Sequence, residues 1–149
     1  MDYFLLPLFT SIFFLGFAVT SLIFTKNEVK IPFSIFCLLT FHWQISWFFQ
    51  FFINNVIYAD LICRVGYSGI IFLPFLFYDS VMIYLGFKSS YRKKLILTIG
   101  IIFNLFLWNS KLFIKGFHQY QFGFYPEAGF LHILYLFLVT CIIISMVYN

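Results

Sequence analysis

Charge is what this sequence has least of. Only 9% of its 149 residues are Asp, Glu, Lys or Arg, against about 25% in a soluble domain. That leaves too little polar surface to clothe a water-soluble globule. Cysteine is sparse as well. Cys37, Cys63 and Cys141 stand far apart, with no CxxC and no Cys/His ligand spacing, so neither a disulfide nor a metal site is expected. The four prolines and eight glycines gather into no linker. There is no GxSxG, HExxH or Walker loop, no paired carboxylates, no phosphoacceptor His box and no ATP-binding glycine cluster. Without such groups there is nothing to activate a nucleophile or cradle a phosphate, so the expectation is no enzyme and no cofactor. Arg92-Lys93-Lys94 is too short for a nucleic-acid patch and reads as an anchor at an anionic leaflet.

What is abundant is apolar. The chain is 63% hydrophobic, with 25 Phe and a mean hydropathy of +0.99. The richness in Phe, Ile, Leu, Tyr and Asn fits an AT-rich genome as readily as a function. Apolar runs of roughly 20 residues recur, each long enough to cross a hydrocarbon core of about 30 Å. In lipid only helices and closed barrels satisfy their backbone polar groups, and these runs are too long and continuous for barrel strands. The expected fold class is therefore all-α, a polytopic transmembrane helix bundle in one domain. About five spans are expected, near 3–24, 32–53, 61–86, 95–108 and 130–147. The first run follows Met1-Asp2 with no basic n-region, which marks a retained helix rather than a signal peptide. Lys26, Lys30, Lys88, Arg92, Lys93 and Lys94 lie on one side of such a bundle, and Arg64, Lys111 and Lys115 on the other. Six against three puts the N-terminus outside and the C-terminus in the cytoplasm.

Polar residues inside apolar runs mark functional candidates. At roughly 1.5 Å per residue, His42, Asp79 and Asn104 reach similar depths and could form one layer. A His42–Asp79 pair would offset the cost of an intramembrane carboxylate. It could relay protons or a signal, or simply be a polar clip that fixes helix register. Pro74 removes a backbone hydrogen bond and should kink the third span. A second set, Arg64, Tyr67, Tyr125, Glu127 and His132, belongs near the outer face with Asp60 and His118. Arg64 could pair there with Glu127 or Asp60. The set reads as a ligand or signal site, or as ordinary interfacial belt and anchor residues. Gly66 and Gly69 permit close helix approach, and Pro126 and Gly129 suit a turn into the fifth span.

Two stretches carry more than composition. One runs Arg64-Val65-Gly66-Tyr67-Ser68-Gly69-Ile70-Ile71-Phe72-Leu73-Pro74-Phe75-Leu76-Phe77-Tyr78, after a span bearing Trp43 and Trp47. The other runs Phe122-Gly123-Phe124-Tyr125-Pro126-Glu127-Ala128-Gly129-Phe130-Leu131-His132. In order and spacing they resemble the N-terminal seven-helix membrane region of bacterial sensor histidine kinases and diguanylate cyclases. That region carries Arg-x-Gly-Tyr-x-Gly…Pro…Phe-Tyr on its third helix. It carries Gly-Tyr-Tyr-Pro-x-Ala-Gly-x-x-His leading into its fifth. The likeness spans about residues 33–137, with Asp79 where the family often has His. It implies a sensory input module in the bacterial cytoplasmic membrane. Its partners would be the bilayer and either itself or a separate signalling protein, with no nucleic acid. Five spans against the family's seven, and no output domain, suggest a truncated form. The alternatives are an accessory membrane protein, such as the remnant of a split sensor gene, and a small transporter or channel subunit.

Overall fold

A computed structural model describes residues 3–25, 27–87, 90–121 and 123–148. Lys26, Lys88 and Phe122, used above in the charge count and the resemblance, lie outside the described residues, as do the side chains of Arg92 and Lys93. The chain forms α1 (Leu5–Phe24), α2 (Lys30–Gln50), α3 (Val56–Ile70), α4 (Leu73–Tyr84), α5 (Ser90–Asn109), β1 (Ile114–Tyr120), β2 (Gly123–Ala128) and α6 (Phe130–Tyr148). Among the described residues, four segments are long and apolar enough to cross a membrane: α1, α2, the α3–α4 stretch Val56–Tyr84, and α6. The apolar part of α5, Lys94–Asn109, is shorter.

Long apolar helices still carry hydroxyls, and many of these are satisfied within the same helix. Thr10, Thr20, Thr40, Ser46, Ser68, Ser80 and Thr140 each donate to the carbonyl four residues back. This local bond removes the cost of an unpaired O–H in lipid. Small residues then set the packing. α1 buries only Ser11, Ala18 and Ser21, and it packs on α2, where Ser34, Cys37 and Thr40 are buried. With little side chain between them the two backbones approach closely, the usual basis of helix association in lipid. Phe4 against Phe52 (5.4 Å between ring centres) and Phe14 against Phe36 (6.4 Å) fill the flanks. α2 meets α3 in the same way. A Cβ on Gly66 would lie 2.9 Å from Ser46 Cβ, and one on Gly69 would lie 3.0 Å from the His42 ring.

Two expectations change in detail. The third span is interrupted at Ile71–Phe72, just ahead of Pro74, which sits in the first turn of α4. There its missing N–H is tolerated, and the backbone tightens through Phe72 N–H donating to Gly69 O at 3.1 Å. The expectation of an all-helical fold also fails locally. The Asn109–Gly129 connection contains an antiparallel hairpin, with His118 opposite Tyr125, Phe117 opposite Pro126 and Tyr120 opposite Gly123. Gly123 has φ +121°, a conformation only glycine takes without strain. Both strands are edges, so Pro126 breaks no ladder that a third strand would need.

The hairpin lies at one end of the bundle, where α2 and α5 finish and α3 and α6 begin. Gln50 Nε2 donates to Phe124 O at 3.4 Å, and Trp47 packs on Tyr125 at 5.6 Å. The junction into α6 is closed by backbone alone. Gly129 N–H donates to Phe113 O (3.0 Å) and Leu131 N–H to Leu112 O (2.9 Å). A side chain at Gly129 would run into the backbone of Lys111 and Leu112.

Candidate functional site

Beneath the hairpin lies the buried core. Cys63, Ile71, Phe75, Ile96, Leu107, Phe113, Ile114 and Tyr135 form one cluster. Its centre is aromatic. The fully buried Phe113 ring touches Tyr67 (5.9 Å), Phe103 (6.1 Å), His132 (5.1 Å) and Tyr135 (5.8 Å). Mostly tilted and edge-to-face, these contacts favour the quadrupoles of the rings. They join α3, α5, the hairpin and α6 through a single side chain.

Tyr135 does more than fill space. In an unbroken helix the Ile70 carbonyl would accept from the N–H of residue 74, but Pro74 has none. Tyr135 Oη donates to that carbonyl at 3.0 Å. A proline on one helix is thus compensated by a hydroxyl on another, which is how broken helices survive in lipid.

Arg64 is the other polar hub. Its Nε donates to Asp60 Oδ2 at 2.8 Å. Its Nη1 donates to Leu107 O, and to Ser110 O at 3.4 Å. The guanidinium therefore caps the carbonyls at the end of α5, where the helix dipole favours a cation. Trp108 Nε1 donates to Ser68 Oγ (3.0 Å), and Asn104 Nδ2 donates to Gly100 O (3.0 Å) and Ser68 O (3.4 Å). α3 and α5 are pinned by these bonds along one seam.

Of the five residues expected at an outer ligand site, Tyr67 and His132 meet, with ring centres 5.6 Å apart. Tyr125 packs on Trp47 and Tyr120. Glu127 pairs across the hairpin with His118 Nε2 at 2.9 Å. Of the two partners considered for Arg64, Asp60 is the one found. Of the intramembrane candidates, His42 and Asn104 each meet a backbone carbonyl of α3. His42 Nε2 sits 2.8 Å from Val65 O, and because a carbonyl only accepts, that nitrogen carries the proton. Asn104 is on the other seam of α3. Asp79 is buried eleven residues beyond Ser68, roughly 15 Å along a helix, in a cleft with Glu28, Ile31, Pro32, Ile35 and Leu76.

Sequence reading passed over Phe113, Phe103, Tyr135 and Gln50. Tyr135 was within reach of argument, since any proline in a span asks what satisfies the carbonyl four residues earlier. Phe113 carried no signal among 25 phenylalanines. Among the described residues no group of three His, Cys, Asp or Glu side chains is close enough to hold a metal ion. No family model, curated protein or solved structure matches the chain.

Proposed function

We propose that the chain is a membrane-embedded sensory input module, with its hairpin end outside the cytoplasmic membrane and no chemistry of its own. One observation carries the reading. The hairpin and the α3–α4 joint are connected through Phe113 and Tyr135, so anything that moves the hairpin bears on a break in a spanning helix. Packed aromatic contacts and a two-piece helix are the kind of discrete arrangement that a signal can bias. The charge asymmetry of the connections supports the orientation. The resemblance of the Arg64–Tyr78 and Phe122–His132 stretches to histidine-kinase input regions supports the role.

A fusion tests it. The whole chain is joined in frame to the dimerisation and ATP-binding parts of a histidine kinase, and autophosphorylation is measured in membranes. Tyr125→Ala in the hairpin and Tyr135→Phe at the joint are expected to change the phosphorylation level at equal protein abundance. Identical levels in all three proteins would sink the proposal. Alkaline-phosphatase fusions after Gln121 and after Phe87 test the orientation, with activity expected only from the first.

A second reading has a specific observation behind it. His42, Asn104, Tyr135 and Arg64 all bind backbone carbonyls, which is what purely structural polar residues do in membranes. An accessory membrane protein of fixed shape would look the same. It predicts phosphorylation that does not respond to either substitution.

A further inference from the structure

Most buried polar atoms in this bundle have a protein partner, and two that lack one line the same pocket. The indole N–H of Trp43 and the amide oxygen of Gln50 are buried without any hydrogen-bond partner in the protein. Both residues line a cavity between α2, α3 and the hairpin, walled by Trp47, Cys63, Tyr67 and Pro126. Residues 43, 46 and 50 share one face of α2, and Ser46 Oγ lies in the same wall. Its proton goes to His42 O, which leaves its lone pairs open to a donor. Gln50 is only 4% exposed, and its NH₂ is committed to Phe124 O, so its orphan atom is an acceptor by elimination.

We propose that this cavity is a hydration site, in which ordered water supplies the bonds that Trp43 Nε1 and Gln50 Oε1 lack. Three arguments support water over an organic ligand. The space open to water centres is about 10 Å³, close to the roughly 10–15 Å³ that one water needs and far below a drug-sized pocket. Trp43 Nε1 is an unpaired donor and Gln50 Oε1 and Ser46 Oγ are open acceptors, none with a formal charge, which suits a neutral molecule that both accepts and donates. Gln50 is the last residue of α2, so water can enter from the headgroup level. Leaving either atom dry would forfeit the hydrogen bond it makes with water in the unfolded chain. The site makes water part of the joint between the hairpin and α2, because Gln50 holds both.

The test uses the full chain in lipid nanodiscs with ¹⁵N-labelled tryptophan. Trp43→Phe assigns the Trp43 indole signal. A direct cross-peak from that indole proton to water, persisting beyond nanoseconds, is the expected result. No water cross-peak, or cross-peaks to lipid protons instead, would overturn the site. A second measurement replaces Trp43 with the isosteric analogue whose ring sulfur takes the place of N–H. If water is bound, Tm falls. If the N–H is dry, its removal leaves Tm unchanged or raised, and the proposal fails.

Discussion

One guanidinium ties α3 to the end of α5. Arg64 is 13% exposed and binds a carboxylate and two carbonyls at once. Lysine keeps the charge but offers a point donor instead of a fork. Arg64→Lys is therefore expected to lose about 1.5–3 kcal/mol, the range for hydrogen bonds to charged groups, read as a fall in Tm in detergent. Glu127→Gln is the contrast. Its partner His118 is 63% exposed and the pair lies on a hairpin surface, so its loss should cost less than about 1 kcal/mol. His42 sits between these extremes. Its residue type inside an apolar run was legible as special, but not its partner. The Val65 carbonyl carries no mark in a sequence, whereas a carboxylate such as Asp79 does. Pairing two conspicuous side chains is a natural inference in lipid, and backbone carbonyls are the competitors it overlooks.

At the scale of elements, the instructive pair is Pro74 and Tyr135. Tyr135→Phe leaves the Ile70 carbonyl unpaired in a buried place, at a cost of about 1–2 kcal/mol. Pro74→Ala returns an N–H four residues after that carbonyl. In the Pro74→Ala background the cost of Tyr135→Phe is therefore expected to shrink toward zero. A double-mutant cycle on chemical or thermal unfolding in detergent reads the coupling. Equal costs in both backgrounds would mean that the hydroxyl does not stand in for the missing N–H. The helices themselves were legible because hydrophobic length is a coarse and redundant signal. Their ends shifted by a few residues: α2 starts at Lys30, α3 at Val56 and α5 at Ser90, each earlier than the apolar runs. In each case polar or interfacial residues complete the helix. Asn55 shows how, since its side chain accepts from Ile57 N–H at 2.8 Å and caps α3. The hairpin was missed because its strands alternate poorly. Ile114 is buried, yet His118, Gln119 and Tyr120 follow without a clear apolar face. The one local sign, Gly123 after an aromatic and glutamine run, was weak beside the apolar spans.

Taken whole, the molecule is loosely held by soluble standards. α6 turns most of its surface outward and packs chiefly on α4, while α1 and α2 form the most extensive pair. The cysteines sample this difference. Cys37 and Cys63 are buried and Cys141 on α6 is exposed. In mild detergent an apolar maleimide is expected to modify Cys141 first, with Cys37 and Cys63 reacting only after denaturation. Mass spectrometry of the labelled peptides checks it, and rapid modification of Cys63 would contradict the packing of α3 described here.

The break at Ile71–Phe72 has a further consequence, for the fit of the chain to its bilayer. Val56–Tyr84 is 29 residues long. As one straight helix it would measure about 43 Å, well beyond a hydrocarbon thickness of about 30 Å. A straight rod of that length must tilt steeply, thicken the bilayer around it or push apolar ends into the headgroups. Two shorter rods with a joint between them can each take their own inclination. Changes in bilayer thickness would then be absorbed at that joint, and Tyr135 is the side chain that would register them.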